Sequence, residues 1–434
     1  MHLVSKDAAP TFHHTSAPIS SSQDGSQTLI SRSITSDIPR IFNSYQDGLC
    51  RFAQGRGKQP PSVVNDTRSR LLAAVVAQSN QAFTITRPLD WKHQVSENIP
   101  LPSCFDDLGS GESSEGICSN LLSSRECLHE VWVQKKSRGE TTLEDPLIEM
   151  PVGKFDYALE MFFPLFSKYI YNLCNDEESL LYTTKSVLAD FEADGLAYLE
   201  LRTTPRAMPS ANITKDDYVR LILSVTNAPS PQMKTKLILS IDRRNDAATA
   251  LSVVALALKY RSQGVVGIDL CGDPTVGDVS IFRPAFQLAI SENLPITIHF
   301  SEAPSCTKEE LWTLLEYRPQ RIGHVIHVPE DVREEIVRRG LGLELCLSCN
   351  VHAKMIPGTY GDHHFGWWKG KGCPIALSTD DVGVFGSALS NEYALIAEHF
   401  NLDNKEICEL ARSAVDMIFG GEKEKERLRK LMWR

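Results

Sequence analysis

The sequence has no apolar stretch near the ~20 residues that a membrane-spanning helix needs. Its first residues, MHLVSKDAAPTFHHTSAP, lack the apolar segment of a secretory signal. We therefore expect neither a transmembrane helix nor secretion. A hydrophobic fraction of 42% and a charged fraction of 23% are typical of a globular protein and argue against a wholly disordered chain. The 434 residues suffice for one large domain with an appendage, or for two smaller domains.

Positive charge is in deficit, since 45 Lys and Arg face 55 Asp and Glu and give a net charge of −10. Such a chain has no overall positive field to attract a phosphate backbone, so we expect no nucleic-acid partner and no membrane partner. A small anionic ligand stays open, because one or two local arginines can bind it.

The cysteines form no regular framework, and their number, eleven, is odd. We interpret them as reduced thiols of an intracellular protein and expect a cytoplasmic location. The sequence does not determine the oligomeric state, although a monomer is compatible with it.

Residues 1–120 differ in texture from the rest of the chain. They contain the Ser-rich run SAPISSSQDGSQTLISRSITS and the polar run FDDLGSGESSEGICSN, and only LLAAVVAQ and QAFTITR offer short apolar segments. This composition predicts a low-complexity region that is disordered or poorly packed. The folded domain is expected over residues 121–434.

Short apolar runs alternate with helical stretches in that domain, which predicts a parallel sheet with right-handed crossovers. Seven runs are recognisable, whereas a (β/α)8 barrel needs eight strands. An open doubly wound sheet could use seven, but no glycine-rich phosphate fingerprint follows the first run. We predict an α/β fold of the TIM-barrel type that lacks or replaces its first strand, with QAFTITR as a weak candidate to pair there. The runs are LAYLELRT, KLILSID, GVVGIDL, PITIHF, RIGHVI, LELCLS and PIALST.

Polar residues gather where several of these runs end. His299 lies near the end of PITIHF, and Glu302 follows that run. His324 lies in RIGHV, and Asp380 and Asp381 follow PIALST. Because the carboxyl ends of barrel strands meet at one mouth, these side chains should converge. Two imidazoles and paired carboxylates suggest a divalent metal with an acid or base beside it.

Each of these residues also has an ordinary structural explanation. A single histidine at a strand end is more often a hydrogen-bonded structural group than a ligand. An Asp-Asp pair often caps a helix, and Glu302 could be a first-turn helix acid. Only their joint occurrence on successive elements favours a site.

Two other pairs look less informative. His363 and His364 are interpreted as a surface or packing pair in a loop. Cys346 and Cys349 lie in LELCLSCN, which we interpret as a strand pattern; without a second pair of ligands it predicts neither a zinc site nor a redox site.

The motifs HFSE, RIGHV and STDD resemble the three C-terminal motifs of the adenosine deaminase family in the amidohydrolase superfamily. GIDLCGDPTVGD and ELRTTPR are similar to the adenosine deaminase-like branch, which acts on N6-methyl-AMP. The resemblance covers roughly residues 125–432. It implies a zinc-dependent hydrolytic deaminase with one zinc ion per chain.

The resemblance also implies a role for each matching residue. His299 and Asp380 would bind the zinc ion, and Asp380 would help to accept the proton of the attacking water. Glu302 would donate a proton to the purine ring, and His324 would orient the attacking hydroxide. Asp381 and the backbone amide of Gly272 would hold the base. The residues that match the stretches which this branch places around the nucleotide are Thr203, Thr204, Pro205, Arg206 and Asp242.

Arg206 is the best local candidate for a monophosphate, because a guanidinium can pair with two phosphate oxygens. A solvated loop arginine is the alternative interpretation.

The family's first strand ends in a His-x-His pair that binds zinc, and this sequence contains no two histidines separated by a single residue. His13 and His14 are adjacent, so on a strand they would point to opposite faces. His129 falls within the helical stretch SRECLHEVWVQKK. The zinc ion would keep only two protein ligands, whereas catalytic zinc normally has at least three. We therefore hypothesise that residues 1–120 do not correspond to the native N-terminus of the family.

Three functions remain open. The first is a purine nucleotide deaminase, whose activity in this chain would be weak or absent. The second is a barrel that has lost its metal site and at most binds a nucleotide. The third is a deaminase of adenosine or adenine. The arginines in ELRTTPR and IDRR favour a nucleotide over a nucleoside.

Overall fold

The computed structural model describes residues 74–75, 82–86, 125–230 and 232–432. Its centre is a curled sheet, and the strands from residue 196 onward are almost completely buried, as the continuous apolar runs predict. The strands, labelled in chain order, are β1 (Ala74–Val75), β2 (Ala82–Thr86), β3 (Leu196–Thr203), β4 (Lys234–Asp242), β5 (Val265–Cys271), β6 (Ile296–Phe300), β7 (Arg321–His324), β8 (Gly342–Leu345) and β9 (Ile375–Leu377).

Strands β3 to β9 pair in sequence order and run parallel. The space between β3 and β9 is bridged by two short segments. β2, which lies in QAFTITR, is antiparallel to β3, and β1 pairs antiparallel with β2 and parallel with β9. The prediction of an α/β fold with seven parallel strands is confirmed. Besides β3 to β9, the only described strand with a parallel partner is the two-residue β1, so no full-length eighth parallel strand is found among the residues that the structure describes.

Helices follow the strands and cover the sheet; for example, the helix after β4 packs against both β4 and β5. The α-helices are Arg125–Ser137, Pro146–Glu149, Leu159–Leu165, Tyr171–Leu173, Glu177–Ala193, Lys215–Thr226, Ala247–Tyr260, Arg283–Ser291, Lys308–Glu316, Glu330–Arg339, Leu347–His352, Phe365–Trp368, Val382–Phe385, Leu389–His399, Asn404–Val415 and Glu422–Met432. Shorter turns are the π-helical Phe166–Ile170 and the 3₁₀ segments Pro209–Ala211, Arg261–Gln263, Val279–Phe282 and Tyr360–Asp362.

Local sequence signals explain several helix ends. Asp176 and Thr214 each accept a hydrogen bond from a backbone amide of the helix that follows and form capping boxes. The helix Glu330–Arg339 ends at Gly340, whose φ of 61° is the left-handed conformation that glycine adopts without steric cost. Of the described helices, none has the length and apolar character to cross a membrane.

The interior of the curled sheet holds a network of buried charges. The Arg202 guanidinium donates to Glu344 and lies 3.5 Å from Asp269. Arg321 lies 2.8 Å from the other oxygen of Glu344 and 2.7 Å from Glu200. All five side chains are at most 1% exposed. Charges this deeply buried persist only when they are paired, so the network fixes the centre of the sheet.

A second apolar cluster, separate from the core between sheet and helices, contains residues from the segment 128–174 and the region 346–385. Arg125 lies beside it and is 6% exposed. Its guanidinium donates to four backbone carbonyls, those of Pro151, Lys154, Gly383 and Val384. The helix Arg125–Ser137 is thereby fixed to the segment that follows β9.

The predicted low-complexity region, residues 1–120, lies outside the described residues except for β1 and β2. Its predicted disorder is therefore not tested. None of the eight cysteines within the described ranges forms a disulfide.

Candidate active site

The predicted chemical residues sit where the strands end. His299 lies in β6 and Glu302 follows it, His324 is the last residue of β7, and Asp380 follows β9. All four are buried, with 1–6% of their surface exposed. The imidazole rings of His299 and His324 are 5.6 Å apart. The parallel order of the strands thus brings together side chains that are distant in the sequence.

The backbone is strained at the same strand ends. Ser301, His324, Val325 and Asp380 all adopt positive φ, between 51° and 60°. A non-glycine residue in this region costs on the order of 1–3 kcal/mol and persists only where the surrounding structure holds it. Such strain clusters at functional sites, and here it coincides with two of the predicted residues, His324 and Asp380.

His299 has a carboxylate behind it. Its Nδ1 lies 3.2 Å from Asp269 Oδ1, and its buried Nε2 has no hydrogen-bond partner within the described part of the chain. Burial lowers the pKa of His299, but the charge of Asp269, the hydrogen bond to it and the charge of Glu302 together outweigh burial, so the net pKa is raised. A histidine whose Nδ1 is held by a carboxylate, and whose Nε2 points away from that carboxylate, has the arrangement typical of a metal ligand.

Glu302 lies against the second imidazole, with Oε1 3.4 Å from His324 Nε2. Burial raises the pKa of Glu302 to about 8, an effect that the neighbouring His299 partly opposes. The carboxyl group therefore carries its proton at neutral pH. It can act as a proton donor, which an ordinary glutamate cannot do in water.

Asp380 lies beside two thiols, those of Cys346 and Cys349. Burial raises its pKa well above the usual range, while a hydrogen bond from the Cys349 thiol opposes the shift. One potential ligand atom each from His324, Cys346 and Asp380 lie within 4.8 Å of one another. The pKa values of Cys346 and Cys349 are raised well above normal by burial, so both are neutral thiols.

The interpretation of LELCLSCN as one strand was wrong in its second half. The strand ends at Leu345, and Cys349 belongs to the helix Leu347–His352. The turn between them places both thiols beside Asp380, which a continuous strand would not do.

The interpretation of His363 and His364 as a surface or packing pair is also incomplete. His363 is only 2% exposed and its ring hydrogen-bonds to Asn350. His364 Nε2 bonds to the backbone carbonyl of His324. His364 therefore contacts a residue of the candidate site, and His363 contacts Asn350, which in turn lies against His324.

The residues expected around the nucleotide line one cavity of about 450 Å³. It lies beside the ends of β3 and β4, and His299, Glu302 and Asp380 are not among its lining residues. Thr204 Oγ1 lies 3.6 Å from Cys271 Sγ, which connects this cavity to the end of β5. The predicted residues that line it are Thr203, Thr204, Pro205, Arg206 and Asp242.

Two arginines at this cavity, Arg206 and Arg244, could contact a phosphate, whereas only Arg206 was singled out from the sequence. The Arg206 guanidinium donates to the backbone carbonyls of Tyr171 and Cys174 and lies over the Tyr171 ring. These two bonds anchor Arg206 at the cavity but use only part of the five N–H donors of a guanidinium, so its role toward a phosphate stays a prediction. Arg244, whose side chain is 52% exposed, pairs with Asp242 at the same cavity; it was counted among the arginines of IDRR in the sequence analysis but was given no individual role.

Gly272 and Asp381 occupy constrained positions. Gly272 has φ of 99°, and a Cβ there would lie 2.9 Å from Asp242 Oδ1, so both conformation and space demand glycine. Asp381 is fully buried and precedes the helix Val382–Phe385, but its side chain makes no capping bond to that helix. The helix-cap explanation of the Asp-Asp pair is therefore not supported.

Asp269 was also missed, although the sequence carried a signal for it. It is a charged residue in the middle of the apolar run GVVGIDL, and the same is true of Glu200 and Arg202 in LAYLELRT. A charge inside a buried strand requires a partner, so these positions mark the polar centre of the sheet.

Comparison with known proteins places this architecture in a defined class. The family model described as adenosine deaminase matches residues 143–433. The chain belongs to the adenosine deaminase family, as the resemblance of its motifs implied.

Several relatives share this architecture over most of their length. The N6-mAMP deaminase of Arabidopsis thaliana is 35% identical over 306 residues, which are 65% of this chain and 85% of that protein. The N6-methyl-AMP deaminase of Homo sapiens is 35% identical over 300 residues, 66% of this chain and 83% of the human protein. A crystal structure of Arabidopsis N6-mAMP deaminase superposes with a TM-score of 0.67 at 33% identity, covering 73% of this chain and 96% of that one. An Arabidopsis protein called ADAL, equally similar, was crystallised with GMP and with IMP.

Proposed function

We propose that this chain has the active-site framework of a hydrolytic purine nucleotide deaminase whose substrate is N6-methyl-AMP. Water would add to the amino-bearing carbon of the purine, and methylamine would leave to give IMP. The observation that carries the proposal is the buried Glu302 carboxyl group 3.4 Å from His324 at the strand ends, where burial raises the pKa of Glu302. The relatives at about 35% identity that are N6-methyl-AMP deaminases support this choice of substrate.

Glu302 would protonate the ring nitrogen beside the attacked carbon and make that carbon electrophilic. The carboxylate left behind would face His324 Nε2, 3.4 Å away in the free protein. The Gly272 amide and Asp381 would hold the base at its other edges. Since Glu302, His324 and Asp381 are buried, water competes little for their hydrogen bonds.

The donors present fit a metal ion in part. His299 Nε2 is buried without a partner, Asp269 fixes the ring, and Asp380 supplies a carboxylate. His299 and Asp380 would hold zinc, which when bound lowers the pKa of its water toward ~7. The described residues offer no His-x-His pair, and His129 is bonded to Asp145 in a helix. We therefore expect weak zinc binding and weak or absent turnover.

The phosphate would be bound by Arg244 with Lys215, both of which line the cavity that also contains Thr203 and Thr204. Arg206 would mainly hold the cavity wall, since two of its N–H groups donate to the carbonyls of Tyr171 and Cys174. These cations favour a nucleotide over adenosine, which has no phosphate to pair with them.

The test uses the full chain, purified and equilibrated with zinc. Bound zinc would be measured by atomic absorption, and conversion of N6-methyl-AMP, AMP and adenosine would be followed by absorbance and chromatography. Turnover that is fastest with N6-methyl-AMP supports the proposal. A chain extended with a His-x-His strand should bind zinc more tightly and turn over faster.

An inactive nucleotide-binding barrel is the second candidate, favoured by the two missing metal ligands. Binding of IMP without turnover, both in this chain and after the His-x-His strand is restored, would establish that alternative. Equal rates with adenosine and N6-methyl-AMP would instead identify a nucleoside deaminase.

A further inference from the structure

A line of hydrogen bonds leaves His324 on the side away from Glu302. His324 Nδ1 lies 3.0 Å from Asn350 Nδ2, and Asn350 Oδ1 lies 3.0 Å from His363 Nε2. The line ends at the backbone amide of Phe365, which donates to His363 Nδ1 at 3.0 Å. Asn350 and His363 are at most 2% exposed, so these polar groups depend on one another for partners.

The backbone end of the line fixes the direction of every bond in it. An amide N–H can only donate, so His363 Nδ1 accepts and the ring proton of His363 lies on Nε2. That proton is donated to Asn350 Oδ1. The amide group of Asn350 is thereby oriented with Nδ2 toward His324, and it donates to His324 Nδ1. The proton of His324 must then lie on Nε2, which faces Glu302.

We propose that Asn350 and His363 are positioning residues that hold His324 as the Nε2–H tautomer, with its N–H presented to Glu302 and the reacting atoms. The orientation of the ring follows from these contacts alone; its importance for turnover rests on the proposed function. His364 assists, because its bond to the His324 carbonyl supports the strained backbone there.

The tautomer restricts what His324 can do. With Nε2 protonated and Nδ1 occupied, the imidazole presents a donor toward Glu302 and has no lone pair there. It can stabilise negative charge on the attacking oxygen, but it cannot accept that oxygen's proton. Proton acceptance therefore falls to a carboxylate such as Asp380.

The test reads the tautomer directly from two-bond ¹H–¹⁵N correlation spectra of the full chain labelled with ¹⁵N-histidine. A spectrum of His324→Gln assigns the signals of that residue. We expect a pyrrole-like Nε2 and a pyridine-like Nδ1 for His324. The opposite pattern in the unsubstituted chain would overturn the proposal without any variant having to fold.

Asn350→Asp is a nearly isosteric change that reverses the last bond. A carboxylate only accepts, so it would draw the proton of His324 onto Nδ1 and the two ¹⁵N signals should exchange character. Asn227→Asp is the matched control, because the Asn227 amide donates to the Gln263 carbonyl at an exposed helix end. It should leave the His324 signals unchanged. A folded Asn350→Asp variant with unchanged His324 signals would contradict the relay.

Turnover gives a second, separable readout. Where the chain or its His-x-His extension is active, Asn350→Asp should lower kcat by about 10²-fold with little change in KM, since the ring is lost as a donor but the substrate cavity is intact. An unchanged kcat would refute the positioning role. Absence of turnover in all forms would count against the proposed function, while the spectra still decide the tautomer.

Discussion

The buried charge network predicts that one uncharged substitution inside the sheet will be costly. Glu344 holds two guanidinium groups, with Arg202 donating to one carboxylate oxygen and Arg321 lying 2.8 Å from the other. Glu344→Gln keeps the shape but turns an amide N–H toward one of the arginines. It leaves two buried cations with one carboxylate fewer.

The magnitude follows from what each arginine retains. Removing one partner of a buried ion pair costs about 3–5 kcal/mol. Arg202 keeps Asp269 at 3.5 Å and Arg321 keeps Glu200 at 2.7 Å, so we expect the lower end, about 3 kcal/mol. At roughly 2 °C per kcal/mol for a domain of this size, the melting temperature should fall by about 6 °C. Urea unfolding and thermal unfolding, both followed by circular dichroism, measure the two quantities.

Glu335→Gln is the matched control. Glu335 also pairs with two arginines, Arg338 and Arg339, but on a helix surface where the Arg338 side chain is 70% exposed. Surface pairs contribute about 0–1 kcal/mol, so this variant should be almost as stable as the parent. If Glu344→Gln lost no more stability than Glu335→Gln, the assignment of the network as a structural centre would be wrong.

Three further outcomes are expected. In the zinc-binding form, Glu302→Gln should spare the metal but reduce turnover by about 10²–10⁴-fold; unchanged turnover would remove Glu302 from the mechanism. In the metal-free protein, the raised pKa of Glu302 means that its contribution to stability is complete below pH 4.5 and lost as the pH rises through about 8. Unfolding free energies measured across this window should fall less steeply in Glu302→Gln than in the parent. Arg244→Ala should raise KM for the nucleotide by about 10–100-fold but leave adenosine unaffected, whereas Arg206→Ala should mainly lower the melting temperature; the reverse split would restore Arg206 as the phosphate ligand.

The sequence predicted the sheet well because burial on both faces is a local signal. The run LAYLELRT matches β3 residue for residue, and the other six runs each overlap a parallel strand. The run LELCLS misled because a strand and a following helix are both apolar when both are buried. Periodicity cannot separate them over so few residues.

The partners of polar side chains were much harder to predict from the sequence. His363 was interpreted as a surface or packing residue because its contact with Asn350 depends on the fold, and the pairing of Arg244 with Asp242 in IDRR was not predicted. Arg206 was chosen for its charge, and nothing in the sequence indicated that two of its N–H groups donate to carbonyls about thirty residues away. The roles of His299, Glu302 and Asp380 in binding and catalysis remain predictions that the experiments above address.

The four carbonyls held by Arg125 bear on where this domain can be cut. The family match begins at residue 143, which invites an expression boundary close to that point. A fragment that starts there would leave the carbonyls of Pro151, Lys154, Gly383 and Val384 without their shared donor, at about 1–3 kcal/mol for each one that stays buried. Two of them, the carbonyls of Gly383 and Val384, lie in the helix that follows Asp381, so the shortened protein would be loosened next to the residue that we propose to bind the base.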